Sequence, residues 1–200
     1  MVQSNRRRAI EDAALRLFAE RSVAEVSVRD IAAAAGVGES ALYRHMTSKE
    51  ELAARVFHRA YLALAAELAR ALPEGAGLSA EVDALVRTAL AAHDRDPVLF
   101  GFLLLRQHDS LPSLDLEQLN PVQVVRAVVR RALERGEMEP MDPDLGVAIL
   151  MGIVLQPLTL SLYGVLAGEA LPLAPTLSSA IKRALALRTP SPVHQQGLDR

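Results

Sequence analysis

Residues 27–46, SVRDIAAAAGVGESALYRHM, contain two short helical patterns joined by a glycine. Ser27 has the side chain of a helix N-cap, which accepts a hydrogen bond from a free amide of the first turn. The apolar residues that follow have the i, i+3, i+4, i+7 spacing of one buried helical face: Val28, Ile31, Ala32 and Ala35. Gly36 then stands where a left-handed residue ends a helix. A second apolar stripe begins at Ala41 and Leu42.

The two patterns together predict a helix-turn-helix unit. Ala32 is small, as a steep crossing of two helices requires, Gly36 follows four positions later, and aliphatic residues resume after the turn. In such a unit the start of the second helix enters the major groove of DNA. We therefore expect a nucleic-acid-binding head near the amino end.

Composition limits the classes of protein. The 200 residues are 50% hydrophobic, enough for a substantial core, and they include no cysteine, so disulfides and thiolate metal sites are excluded. The opening MVQSNRRRAI has no apolar run of a secretory signal, which favours a cytoplasmic protein. The net charge is −2, yet residues 1–60 contain 10 basic and 8 acidic residues, so the positive balance lies where the motif lies.

The chain has the pattern of an all-α protein, with about nine helices and no convincing strand. A first helix is expected from about Arg6 to Arg21, before the helix-turn-helix. Ser48 then provides an N-cap with Glu51 at the capping-box position, opening a long helix that ends before Pro73. We predict a DNA-binding domain at 1–60 and a ligand-binding and dimerisation domain at 61–200, with a disordered tail at 189–200.

The expected body is a helical bundle. Its helices are predicted near 79–94, 97–109, 121–136, 143–167 and 174–188, and an Asp-Pro or Asn-Pro pair at 96–97, 120–121 and 142–143 marks three of the starts.

Residues 145–168 carry no charge and are long enough to span a bilayer. Acidic flanks and internal polar residues favour a buried helix instead, one that is covered by its own subunit and by a partner. The last helix also has a broad apolar face: Leu177, Ala180, Ile181, Ala184, Leu185 and Leu187. We therefore expect a homodimer formed through the last two long helices.

The head resembles the tetracycline-repressor (TetR) family of bacterial transcription regulators. The resemblance lies in ALRLFAERS at 14–22, SVRDIAAAAGV at 27–37, ALYRH at 41–45 and SKEEL at 48–52, and it covers about a third of the chain. It implies an all-helical homodimer that binds a palindromic operator, usually represses, and is released by a small ligand in its body. The chain departs from the family at Gly38, a weaker cap than serine, and at Met46, which replaces an aromatic residue.

The resemblance and the motif together suggest the DNA contacts. Arg29 either reads a guanine edge or is a solvated arginine. Ser40 and Ala41 begin the recognition helix, and Glu39 either accepts from a cytosine amine or neutralises the helix N-terminus. Phosphate contacts are expected from Ser27, which also caps, and from Tyr43, Arg44, His45 and Lys49. Arg6, Arg7 and Arg8 are either a flexible arm on the DNA or an unstructured basic tail.

No motif of an enzyme, cofactor or metal site is visible in the body, so we expect a protein that is not an enzyme. His93 and His108 are interpreted as a helix-end cap and a surface residue.

Apolar residues with a few polar groups resemble either a small-molecule site or a plain core: Phe100, Phe102, Leu103, Leu104, Gln107, Met151, Leu155, Gln156 and Tyr163. Pro157 is expected to kink its helix beside such a pocket.

The leading hypothesis is a ligand-responsive, DNA-binding transcriptional regulator whose partners are double-stranded DNA and an unknown apolar effector. Two alternatives remain from the sequence. One is a helical head used for protein contact or for DNA binding without an effector, and the other is membrane association through residues 145–168.

Overall fold

The computed structural model describes residues 2–110 and 119–186, with side chains for 5–106 and 119–186. This part of the chain consists of nine α-helices and a short 3₁₀ helix at Leu171–Leu173, without a strand. The α-helices are α1 Val2–Glu20, α2 Val28–Ala34, α3 Glu39–Leu42, α4 Lys49–Ala71, α5 Leu78–Arg95, α6 Pro97–Ser110, α7 Pro121–Glu134, α8 Pro143–Leu162 and α9 Ala174–Ala184. The predicted all-α class is confirmed.

The three helix starts at Asp-Pro or Asn-Pro pairs are capped as their sequences predict. The Oδ1 atoms of Asp96, Asn120 and Asp142 accept hydrogen bonds from backbone amides of the following turn, at 2.7 to 3.2 Å. Proline fits the first helical position because the amide it lacks has no partner inside the helix. Local chemistry therefore determines where α6, α7 and α8 begin.

Helix boundaries differ from the prediction at three places, one of them the end of α9, which is at Ala184 instead of 188. α1 begins at Val2, so Arg6, Arg7 and Arg8 are part of a helix rather than of an arm or an unstructured tail. α8 ends at Leu162 instead of 167 because Gly164 adopts a φ of +71°, the left-handed conformation that stops a helix. The predicted tail at 189–200 lies outside the described residues.

Two hydrophobic clusters organise the fold. The head cluster combines buried residues of α1 to α4, among them Ile10, Leu42 and Phe57, with Phe102 and Leu103 of α6. The body cluster contains residues of α4 to α9, from Ala65 to Leu185. α4 therefore contributes to both clusters, and α6 of the body packs against the head. The division into domains at 1–60 and 61–200 stays a prediction.

A buried ion-pair cluster joins α5 to α7. Glu81 is 3% exposed, and its two carboxylate oxygens lie 2.7 Å from Arg131 and 3.0 Å from Arg135. Arg135 also forms an ion pair with Glu137, whose carboxylate accepts from the Leu78 amide at the start of α5. A buried carboxylate is tolerated because its oxygens are paired.

α8 presents apolar residues on all sides, but only one face packs on the body core. The buried face contains Gly146, Val147, Leu150, Val154 and Leu158. Its apolar window has a mean hydropathy of 2.0 and is 28% buried, and α8 is long enough to cross a membrane by length and composition. The opposite side, with the segment after α8, leaves apolar residues such as Leu145, Tyr163 and Val165 more than half exposed.

Candidate nucleic-acid interface

The start of α2 is held by a complete capping box. Ser27 Oγ accepts from the Asp30 amide at 3.1 Å, and the Asp30 carboxylate accepts from the Ser27 amide at 2.9 Å and its hydroxyl at 2.8 Å. These bonds, the one from the amide first, keep the pKa of Asp30 below its ordinary value. The capping role predicted for Ser27 is confirmed, and its phosphate contact stays a prediction.

The turn between α2 and α3 depends on Gly36. Its φ is +65°, a backbone conformation that residues with a side chain rarely adopt. Its amide donates to the Ala33 carbonyl at 3.2 Å. The Val37 amide donates to the Ala32 carbonyl at 3.0 Å, which completes the turn. Ala32 is buried, as the predicted crossing of two helices requires. The chain reverses here and starts α3.

α3 is a single turn with one buried side chain. Leu42 is fully buried in the head cluster and anchors the helix. Gly38 stands at the N-cap position and has no side chain that could accept from a free amide, so α3 starts without a side-chain cap, as expected from the sequence. The outer side of the turn carries the exposed side chains of four predicted DNA contacts: Glu39, Ser40, Tyr43 and Arg44.

The other predicted contacts lie close to this outer side. Arg29 on α2 is exposed, whereas Ala41 and His45 are half-buried. The two roles considered for Glu39 and for Arg29 stay predictions. We call the exposed group Arg29, Glu39, Ser40, Tyr43 and Arg44 the recognition surface.

The start of α4 differs by one residue from the predicted capping box. Ser48 Oγ accepts from the Glu51 amide at 3.0 Å as expected. The carboxylate of Glu51, however, accepts from the amide and hydroxyl of Thr47, at 2.8 and 2.6 Å, rather than from Ser48. These hydrogen bonds, the hydroxyl one first, lower the pKa of Glu51.

Lys49 has an internal role that the sequence analysis did not anticipate. Its ammonium donates to the carbonyls of Val26 at 2.9 Å and Ala24 at 3.3 Å, in the turn that leads into α2. Two of its three donor directions are therefore used within the head. The phosphate contact assigned to Lys49 stays a prediction, and the structure adds a brace between α4 and the start of α2.

Arg55 was missed as a functional residue. Its Nη2 donates to the His45 carbonyl at 2.9 Å, its Nη1 donates to Glu51 at 3.0 Å, and its Nε lies 3.0 Å from Glu11. Glu11 is 8% exposed and also pairs with Arg7 and Arg59. Arg55 thus ties α1, the end of α3 and α4 together. Only the i, i+4 spacing from Glu51 hinted at any of these contacts.

The predicted ligand-binding residues do not share one pocket. Leu104, Leu155, Gln156 and Tyr163 line an open cleft of about 350 Å³ between α6 and α8. Phe100 and Leu103 line a separate cavity between head and body. Met151 is half-buried against the body core, and the side chain of Gln107 lies outside the described residues. α8 continues through Pro157 to Leu162.

The two histidines considered for the body give a mixed result. His93 is 4% exposed and packs edge-on against Phe100, so it is a core residue rather than a helix-end cap. Its neighbour Asp94 makes the long-range bonds, accepting at 2.8 Å from the amides of Ala170 and Leu171. The side chain of His108 lies outside the described residues. Within the described chain, no three His, Asp or Glu side chains come together as a metal site.

The head therefore defines a class of protein. Two helices joined at a left-handed glycine, with polar and cationic side chains outward and braces from α1 and α4 behind, form a helix-turn-helix head on a helical body.

Comparison with known families identifies this head. Residues 10–56 match the family described as bacterial regulatory proteins, tetR family. Over these residues the head is similar to the TetR family, and the resemblance seen in the sequence is confirmed.

Individual relatives agree with that assignment. The chain is 36% identical over 92 residues to the HTH-type transcriptional repressor KstR2 of Rhodococcus jostii (strain RHA1), a match that spans 46% of this chain and 45% of that repressor. The fold is similar to that of the fatty acid degradation regulator FadR from Bacillus halodurans, with a TM-score of 0.74 and 17% identity over 92% of this chain and 97% of that one. It is also similar to the TetR family transcriptional regulator PfmR from Thermus thermophilus, with a TM-score of 0.68 and 24% identity over 88% and 97% of the two chains.

Proposed function

We propose that this protein is a sequence-specific DNA-binding transcriptional regulator, acting in the cytoplasm as a homodimeric repressor without enzymatic activity. The observation that carries the proposal is the recognition surface on a turn that is anchored in the head cluster. Leu42 anchors α3 in the core, while Tyr43 is 58% exposed beside the exposed Arg44. An exposed tyrosine and arginine at the end of a recognition turn suit contacts to phosphates, and Arg29 suits a base edge.

The match to a transcriptional repressor supports repression, although it spans less than half of each chain. Repression follows when a bound regulator occupies its operator, and a symmetric operator requires two heads.

Homodimerisation is supported by the apolar residues that one subunit leaves uncovered. Residues 145–168 carry no charge, and Leu145, Tyr163, Val165, Leu166 and Leu171 are 40 to 66% exposed. An apolar patch of this kind marks a contact with another molecule. A second copy, joined through α8 and α9 about a two-fold axis, covers the same residues of both subunits and positions two heads on a palindrome.

The effector is proposed to be a small apolar molecule that binds the body within 61–200. The cleft between α6 and α8 offers Gln156 as a polar group among Leu104, Leu155 and Tyr163. Few convergent polar groups among apolar ones suit such a ligand. A ligand that binds the DNA-free form better than the DNA-bound form weakens DNA binding by that difference in affinity.

The test is a selection of bound sequences from a random pool of double-stranded DNA, with and without a panel of lipophilic compounds. We expect enrichment of two inverted half-sites, lost with at least one compound. The matched controls are Arg44→Ala, which should reduce enrichment, and Arg87→Ala, an exposed arginine of α5, which should not.

Four results would contradict parts of the proposal. Failure to enrich any sequence removes sequence-specific binding, and enrichment of single half-sites removes the symmetric dimer. Enrichment that no compound alters leaves a DNA-binding protein without an effector. A Gln156→Leu variant that releases DNA like the parent removes Gln156 from the ligand site.

A further inference from the structure

A second cavity lies where the head meets the body. It has a volume of about 760 Å³, and its walls come from α1 of the head and from α4, the end of α5, and α6. Sites for small molecules typically occupy about 300 to 1,000 Å³. We call this space the junction crevice. It is separate from the recognition surface and from the cleft between α6 and α8.

The floor of the junction crevice is apolar. Leu15 of α1, Leu64 of α4 and Leu99 of α6 line it, and each is half-buried while packing against the head cluster. Single half-buried leucines are ordinary, but three from different helices facing one cavity form a continuous apolar surface. Ala60 and Ala63 of α4 leave the space between them open.

The rim of the junction crevice carries four arginines and four carboxylates, and three of each take part in ion pairs with one another. Glu11 pairs with Arg7 and Arg59 at 3.0 Å, and Glu67 pairs with both terminal nitrogens of Arg95 at 2.8 and 2.9 Å. The hydrogen bond from Arg95 keeps the pKa of Glu67 below its ordinary value. A charged ligand that binds at either of these pairs would have to displace a partner, which costs interaction energy.

We propose that the junction crevice binds one small, uncharged and largely apolar molecule per chain. Burial of apolar surface on the apolar floor favours binding, and a rim with as many arginines as carboxylates offers no net charge to an ionic ligand. The occupant contacts α1 and α6 at once, so it stabilises one arrangement of the head against the body. This binding does not depend on the proposed DNA function.

The test uses Nile red, a neutral apolar dye, in a fluorescence titration of the full chain. We expect saturable binding at one dye per chain. Ala63→Phe, which fills the junction crevice, should weaken binding by at least about tenfold. Ala54→Phe is the matched control, because Ala54 is an exposed alanine of the same helix outside the crevice, and it should bind like the parent.

Two further variants distinguish binding in the junction crevice from binding elsewhere and from a loss of folding. Leu64→Gln makes the floor polar without filling it and should also weaken Nile red binding, while helical content and thermal melting verify that each variant folds. Thr159→Phe narrows the cleft between α6 and α8 and should leave binding unchanged.

Several outcomes would overturn the proposal. They are parental binding by Ala63→Phe and Leu64→Gln, loss of binding in Thr159→Phe alone, and preference for an anionic dye such as anilinonaphthalene sulfonate. DNA selection with the same proteins separates the two proposals. Loss of dye binding in Ala63→Phe supports the junction crevice even if no DNA is selected, and selected DNA supports the regulator even if no dye binds.

Discussion

Arg55 Nη2 donates a 2.9 Å hydrogen bond to the backbone carbonyl of His45, directly after α3. The same guanidinium contacts Glu51 on its own helix and Glu11 on α1. Because α3 is only four residues long, it has little helical stability of its own and depends on such tertiary contacts. Arg55 therefore holds the recognition turn in place although its side chain points into the head.

Replacing Arg55 tests that role. We expect Arg55→Lys to lower DNA affinity by about tenfold, because a lysine keeps the charge but cannot reach the His45 carbonyl, Glu51 and Glu11 from one planar group. The dependence of affinity on salt should stay as in the parent, since no phosphate contact is removed. Arg87→Lys is the control, and titrations of selected DNA at several salt concentrations make the measurement. Parental affinity in Arg55→Lys would contradict the bracing role.

Lys49→Met separates an internal brace from a phosphate contact. The variant keeps the apolar stem and loses both bonds to the Ala24 and Val26 carbonyls. We expect the free energy of unfolding in urea to fall by about 1–2 kcal/mol. A lysine that served only phosphates would leave this stability unchanged. A smaller salt dependence of DNA affinity in the same variant would show the additional phosphate contact.

Arg44 and Arg29 should respond differently to alanine. Arg44→Ala should weaken binding to all DNA sequences and reduce the slope of log affinity against log salt by about 1, as expected for one phosphate contact. Arg29→Ala should instead relax preference at one base pair, by about 1–3 kcal/mol. Affinities for a set of single-base variants of the selected site measure both effects. Unchanged discrimination in Arg29→Ala would leave it a solvated arginine.

Gly152→Arg tests the apolar face of α8. A Cβ added at Gly152 would meet no atom within 4 Å in one subunit, and the position is exposed, so the substitution should not disturb the fold itself. In a dimer through α8 it places a charge in an apolar contact, and we expect the variant to sediment as a monomer. Ala71→Arg, at the exposed end of α4, is the control and should sediment like the parent. If Gly152→Arg sedimented as a dimer, this part of α8 would not belong to the interface.

Asp94→Asn should show a pH-dependent loss of stability. Burial alone would raise the pKa of Asp94, but hydrogen bonds from the Ala170 amide, His93 and the Leu171 amide outweigh it, and the pKa lies below its ordinary value of 3.8. A lowered pKa stabilises the fold above the ordinary value and ceases to do so as pH falls through the folded value. We expect a difference from the parent of about 1–2 kcal/mol at pH 7 that shrinks below pH 3.8.

Urea denaturation of the parent and of Asp94→Asn at a series of pH values measures that difference. A gap between the two proteins that persists unchanged at low pH would show that the loss comes from altered packing rather than from the carboxylate.

Residues close together in the chain were predicted well. The Ser27 cap, the Gly36 turn, the buried face of α2 and the three proline-marked helix starts depend on contacts within about one helical turn. The predicted end of α8 was wrong because an uncharged apolar run continues past Gly164. Composition alone does not show which glycine adopts a positive φ.

The site residues were predicted in part for the same reason. The recognition surface follows from helical periodicity, because Leu42 must face inward and its neighbours outward. The bonds of Lys49 to the Ala24 and Val26 carbonyls and of Arg55 to the His45 carbonyl could not be found this way, since these partners lie 10 to 25 residues away in the chain. The expected ligand set failed to form one pocket because apolar periodicity does not tell which neighbouring helix a face meets.

The sequence by itself determined the helix-turn-helix, its caps and the all-helical class, because these depend on hydrogen bonds and spacings along one stretch of chain. Only the tertiary structure decided that α6 packs against the head, that Glu11 forms ion pairs with three arginines and that a crevice lies between α1 and α6. Such features arise where distant segments meet, and their geometry depends on how whole helices cross rather than on any local pattern.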